Sequence, residues 1–208
     1  MSDVVCCLWA AGGFDRAAQG VLGAGRRLAD SLGGKLYAVA LGPASEALNQ
    51  GAAAVADRVL VADHPQLAEY HPELYLKALA AVCQPLAAQA VLLGNDSYSQ
   101  ELAARLAHRL GGSAAGDAVN VTAAGQTVRV TRGVYGGKAV AAIELKRAPA
   151  VVWTRARALA PADGSGRTAG PVEALSLDLA ADERVKVVTR HVEAREGVRL
   201  EDAQVIVS

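Results

Sequence analysis

The sequence predicts an α/β protein with a three-layer, Rossmann-like architecture: a mostly parallel sheet with helices on both faces and antiparallel hairpins added to it. Three observations carry that expectation. Short apolar runs alternate with helix-length amphipathic stretches through the first half, the grammar of repeated βαβ units. Apolar residues make up 52% of the chain and aromatics only 4%, so Ala, Val and Leu dominate, as suits helices stacked on a buried parallel sheet. Beyond about residue 118 the helical stretches stop, and short alternating segments separated by glycine turns take over.

The elements follow in order. Val4 to Trp9 is an apolar run ending at Ala11-Gly12-Gly13, and Ala17 to Leu32 places Val21, Leu22, Gly25, Leu28, Ala29 and Leu32 at helical spacing. Gly33-Gly34 closes that helix, because glycine accepts the left-handed conformation of a helix stop. Leu36 to Leu41 is a second strand, Ser45 an N-cap for a short helix carrying Leu48 and Ala52, and Val59 to Ala62 a third strand. A helix from about Glu73 to Leu86 leads to a fourth strand, Ala90 to Leu93. The loop Gly94-Asn95-Asp96-Ser97 then opens a helix from about Ser99 to Leu110, with Leu102, Leu106 and Leu110 inward.

Ala118 to Thr122, Thr127 to Thr131 and Ala139 to Leu145 read as hairpin strands, and Val151 to Thr154 as a further strand. Ala158 to Pro171 is rich in proline, glycine and alanine and reads as a linker. Leu175 to Leu179, Val185 to Val192 and Gln204 to Val207 have strand composition. The expected organisation is an α/β domain over 1–157, then a linker and C-terminal strands over 158–208.

Charge and cysteine use narrow the function classes. Twenty-one basic residues balance twenty-one acidic ones, so the chain as a whole builds no positive field for nucleic acid or anionic lipid. Cys6, Cys7 and Cys83 form no C-x-x-C pair, and His64, His71, His108 and His191 are scattered, which gives no zinc pattern and points to reduced thiols in a cytoplasmic protein. The start lacks the basic region of a signal peptide, and no apolar run approaches the length of a membrane span. No metal ligand and no catalytic residue is assigned; there is no G-x-S-x-G elbow.

Two loops fall where an open parallel sheet binds ligands, at the carboxyl ends of its strands. Ala11-Gly12-Gly13-Phe14-Asp15-Arg16 resembles the Ser-Gly-Gly-x-Asp-Ser loop of ATP pyrophosphatases, but Ala11 and Arg16 replace the serines that would bond phosphate. Gly94, Asn95 and Ser97 are the cofactor-binding candidates, since the glycine allows close approach and the other two can donate to an anion ahead of a helix. The same four residues also make an ordinary turn and N-cap, and Asp96 beside them would repel a phosphate.

A family resemblance rests on a longer series of residues. Arg132-Gly133-Val134-Tyr135-Gly136-Gly137-Lys138-Ala139, then Ala148-Pro149-Ala150-Val151-Val152-Trp153-Thr154-Arg155, then Ala160-Pro161-Ala162 resemble the first domain of electron transfer flavoprotein alpha subunits. Leu93-Gly94, the helix segment Leu102 to Ala107, Asp117, and Ala53 to Asp63 are similar to the same domain in order. The resemblance implies the adenine nucleotide alpha hydrolase-like version of the fold, as scaffold in a heterodimer with a beta subunit. That complex would pass electrons from flavin dehydrogenases to the respiratory chain.

It further implies that FAD is held mainly by a second domain, which Leu200 to Ser208 would approach, so that FAD belongs to the complete complex. AMP would belong to the beta partner. Arg132, Tyr135, Lys138 and Arg155 become candidates for the partner interface. The alternative is an adenine-nucleotide-binding protein of the ATP pyrophosphatase or nucleotide-sensor type.

Overall fold

The computed structural model describes residues 2–155, 157–162, 166–180, 184, 185, 187–189, 191, 205 and 207. Its elements are β1 (Val4–Trp9), α1 (Arg16–Leu32), β2 (Leu36–Leu41), α2 (Glu46–Ala53), β3 (Arg58–Ala62), α3 (Pro72–Leu86), β4 (Ala90–Leu93), α4 (Ser97–Leu110), β5 (Ser113–Ala124), β6 (Thr127–Val134), β7 (Ala139–Leu145), β8 (Ala150–Thr154) and β9 (Val172–Ala174). Among the described residues nine strands form one sheet in the order β7-β6-β5-β8-β4-β1-β2-β3-β9. Every pairing is parallel except β5 with β6 and β6 with β7. The expected α/β class, with hairpins grafted on a parallel sheet, is what the chain adopts.

Period-two alternation divides β1 between the two sides. Cys6 and Leu8 enter the core beneath α1 and α2, while Val5 and Cys7 enter the core beneath α3 and α4. Both thiols are buried, and burial pushes the Cys6 thiol well above its usual range, which leaves it an inert packing group. Ser45 caps α2 as the sequence predicts, its side chain accepting from the Leu48 amide.

Tertiary contacts moved three boundaries. First, α4 begins at Ser97, two residues earlier than its periodicity indicates, because Asp96 caps it. Second, β5 begins at Ser113, five residues before the hairpin signal. Ser113–Ala115 pair in parallel with β8, and only after a bulge does the strand turn to β6 as an antiparallel partner. Asp117, at φ 60°, sits in that bulge.

Third, the late strand is Val172–Ala174, paired with β3, and not Leu175 to Leu179. Leu175 still donates its amide to Val61, and Leu179 is buried in the core beneath α3 and α4. Of Val185 to Val192, residues 186, 190 and 192 lie outside the described residues, and the others form no strand. Leu200 to Ser208, including the Gln204 to Val207 segment, lies outside them apart from Val205 and Val207, which form none either.

Between β8 and β9 the chain crosses the outer face of α1. An added Cβ at Gly23 would lie 2.3 Å from the Ala160 carbonyl, so a bare helix surface is what lets the Ala160-Pro161-Ala162 segment approach. Leu159 and Ala162 pack against the core beneath, and Arg27 donates to the Ala160 carbonyl at 3.1 Å.

Candidate functional site: a switch-point cleft capped by its own aspartates

β1 is followed across the sheet by β2 and β3 on one side and flanked by β4 and β8 on the other, so the direction of winding reverses between β1 and β4. A crevice opens there, outside the carboxyl ends of the strands. It holds about 170 Å³ and is lined by Trp9, Gly12, Gly13, Asp15, Gly94, Asn95 and Asp96 among others. Two helix N-termini, those of α1 and α4, point into it. In many α/β proteins such ends receive a phosphate, because their first amides lack intrahelical partners.

Here both ends are already occupied by carboxylates of the chain. Asp15 caps α1, accepting from the Ala18 amide at 2.8 Å. Asp96 caps α4, with Oδ1 accepting from the Ser99 amide at 2.9 Å and Oδ2 from the Ser99 hydroxyl at 2.7 Å. Trp9 completes the chain by donating its Nε1–H to Ser99 Oγ at 3.2 Å. Ser99 is wholly buried, while Trp9 and Asp96 are half-buried and line the crevice. The carboxylate of Asp96 also lies against Gly94, 3.0 Å from where a Cβ would stand.

Of the cofactor candidates, Gly94 and Asn95 line the crevice and Ser97 does not; Ser97 is exposed on the first turn of α4. Asn95 contributes its carbonyl to Gln100 Nε2 at 2.9 Å. The sequence offers Asp15 as part of the glycine loop and Asp96 as a neighbour of the turn, and the structure makes both of them helix caps. Their signal was an aspartate directly ahead of an amphipathic run, which says cap and cannot say that two caps converge.

The volume of the crevice is below the roughly 300–1,000 Å³ of ordinary ligand pockets, and the carboxyl groups of Asp15 and Asp96 stand at its two helix ends.

The interface candidates fall in two groups. Arg155, at the end of β8, grips Asp117 with both arms, Nε to Oδ1 at 2.8 Å and Nη2 to Oδ2 at 2.5 Å, and the hydrogen bond from Arg155 holds the Asp117 carboxyl below its usual range. Its guanidinium lies over Gly133 of β6. Arg132 is beside them, lowering the same carboxyl through space, and its buried Nε has no partner among the described residues. Tyr135 and Lys138 instead mark the exposed tip of the β6–β7 hairpin, and Tyr135 is 83% exposed. Among the described residues no group of three His, Cys, Asp or Glu side chains could hold a metal.

The electron transfer flavoprotein domain family matches residues 10–180. The chain belongs to that family. It is 31% identical over 193 residues to the electron transfer flavoprotein subunit alpha of Thermoanaerobacterium thermosaccharolyticum, a match covering 90% of this chain and 58% of that protein. It is 30% identical over 186 residues to Protein FixB of Azorhizobium caulinodans, covering 86% and 50%. A shorter match, 36% over 87 residues, links 41% of the chain to 24% of the acryloyl-CoA reductase electron transfer subunit beta of Anaerotignum propionicum. The chain thus spans about half the length of the first two relatives.

The resemblance traced through Arg132 to Ala139 and Pro149 to Arg155 therefore identified the right family. Membership in the electron transfer flavoprotein family does not favour the pyrophosphatase alternative. No helix among the described residues is long and apolar enough to cross a membrane.

Proposed function

We propose that this chain is the partner-facing part of an electron transfer flavoprotein alpha subunit, a docking scaffold in a heterodimer with a beta subunit, acting in the cytoplasm. In that assembly it serves the passage of electrons from flavin dehydrogenases toward the respiratory chain. FAD is held by the complete complex through residues other than the switch-point cleft, and AMP, where present, by the beta partner. Residues 1–157 are the docking domain, and 158–208 lead across α1 toward the flavin-binding part of the complex.

The observation that carries this reading is the family match over residues 10–180, and the Asp96 carboxyl at the head of α4 disfavours a phosphate in the cleft. On the same reading Gly94, Asn95 and Ser97 are turn and cap residues, and Arg132 with Arg155 orders the root of the hairpin that carries Tyr135 and Lys138. Thermal-shift measurements with FAD, AMP and ATP are expected to show no stabilisation of the isolated chain. A saturating ligand at about 100 times its Kd would instead add about 2.7 kcal/mol. Mixing with the beta subunit of the same organism should give a complex by size exclusion; visible flavin absorbance retained by this chain alone would defeat the reading.

A further inference from the structure

The chain has only two Trp, five Tyr and one Phe, yet Trp9, Tyr75, Tyr70 and Tyr98 stand in one unbroken series. Ring centroids lie 5.7 Å apart from Trp9 to Tyr75, 5.0 Å from Tyr75 to Tyr70 and 3.7 Å from Tyr70 to Tyr98. The series runs outward: Trp9 lines the crevice, Tyr75 is buried, and Tyr98 is 39% exposed. The first two contacts are tilted or edge-on, as aromatic packing prefers, but Tyr70 and Tyr98 lie face to face at 7°. Burial alone does not select that geometry, and it lets two π systems share an unpaired electron.

The polar tips of the rings are served unequally. Tyr70 donates its hydroxyl to Glu101 Oε2 at 2.7 Å, a carboxylate able to take the proton that an oxidised phenol must lose. Arg105 donates to the other oxygen of Glu101 at 3.3 Å and orients it. Behind Trp9 the Ser99 hydroxyl leads to the Asp96 carboxylate, so a positive charge on the indole has a counter-charge close by. Tyr75, between them, donates only to the Leu67 carbonyl at 2.9 Å, which is no base. Burial and the Glu101 carboxylate push the Tyr70 hydroxyl above its usual range, so this phenol stays neutral until it is oxidised.

We propose that Trp9, Tyr75 and the Tyr70–Tyr98 stack form a one-electron relay that draws an oxidising equivalent from the crevice to the surface. The oxidant is a small radical of the oxygen-derived class; it takes one electron from Trp9 and leaves as its reduced anion. The indole radical cation recovers an electron from Tyr70 through the ring of Tyr75, and the phenolic proton of Tyr70 passes to Glu101. The neutral radical rests on the stack until a solvent reductant of the thiol or ascorbate class returns the electron and Glu101 returns the proton. The relay goes beyond the heterodimer reading and stands without it, because every group it uses lies in this chain.

The test exposes the full chain to azide radicals, one-electron oxidants small enough for the crevice and selective for indole over phenol, and follows the indolyl absorbance as it converts to that of phenoxyl. A first-order conversion, independent of protein concentration, is expected. Trp9→Phe, Tyr70→Phe and Glu101→Gln should each slow it by about ten-fold or more, while Trp153→Phe and Tyr135→Phe should leave it within about two-fold. In the wild-type chain, mass spectrometry should find oxidation at Tyr70 and Tyr98 ahead of Tyr135, although Tyr135 is 83% exposed, a readout that needs no variant.

Conversion that scales with protein concentration, keeps the wild-type rate in Trp9→Phe or Tyr70→Phe, or ends at Tyr135 would overturn the relay and leave the four rings as packing. Conversion slowed in Tyr70→Phe but intact in Glu101→Gln would overturn the proton acceptor assigned to it.

Discussion

The parallel half of the sheet and the antiparallel extension obey different rules in one molecule. β1, β2, β3 and β4 are buried along nearly their whole length, since helices cover both faces. β7 reads exposed and half-buried by turns, with only Leu145 buried. The ion pairs differ likewise. In the parallel half Arg26 is 7% exposed and bonds Asp30 and Asp57 at 2.7 Å each, while Asp57 also accepts the Leu36 amide at 2.7 Å. In the extension Arg155 holds Asp117 with its side chain 47% exposed. One region is insulated by helices on both faces; the other leaves more of its polar groups and most of β7 exposed.

Truncation in the insulated half should have the largest effect. Leu22 on α1 is fully buried, and Leu22→Ala is expected to cost about 2–5 kcal/mol by urea unfolding, the sum of lost transfer energy and a residual cavity. A cost below about 1 kcal/mol would mean that this core is no tighter than the extension.

The boundary between the regions should come next. At Gly116 of β5 an added Cβ would lie 1.9 Å from Trp153 Nε1, so the indole must move in Gly116→Ala. We expect about 1–3 kcal/mol of destabilisation and a shifted tryptophan emission. An unchanged spectrum would show that Trp153 is not packed on β5.

Acid should separate the two ion pairs. At Asp57 burial raises the carboxyl, but the Leu36 amide and Arg26 outweigh it and hold it below the ordinary carboxylate range; at Asp117 the hydrogen bond from Arg155 does the same. Both contributions are complete above the unfolded carboxylate value of about 3.9, and both fade as pH falls through the lowered folded values. Asp57→Asn should therefore flatten the acid limb of a stability-versus-pH curve, and salt should weaken the Asp117 contribution more than that of Asp57. Equal salt sensitivity would erase the contrast.

The smallest change is expected at Val140. Val140→Ala on the exposed side of β7 should alter stability by no more than about 0.5 kcal/mol. A cost comparable to Leu22→Ala would show that the face is covered within the monomer.

Much of this was legible in the residues. The βαβ alternation placed the first four strands within a residue or so, because a strand buried on both sides must be apolar throughout. Gly33 was readable as a helix stop, and it adopts the left-handed conformation. β5 was legible only from Ala118 on. Its first residues, Ser113 to Ala115, are small and half-polar, and they become a strand only because β8, some thirty-five positions later, lies beside them. The switch-point candidates were half legible: Gly94 and Asn95 reach the cleft, but Ser97 faces away because Asp96 moves the helix start forward.

The order and type of elements, the apolar faces and the family were set by local chemistry: glycine punctuation, alternation and the run from Arg132 to Arg155 need no neighbour to be read. What folding alone decided is how distant groups combine. Asp15 and Asp96 stand eighty-one positions apart in sequence, yet both line the crevice at one reversal of strand order. Nor does any local pattern reveal that, among the described residues, Val140 and Ala142 of β7 stay outside both hydrophobic cores. That depends on where α4 stops and the strand order turns, a matter of long-range packing.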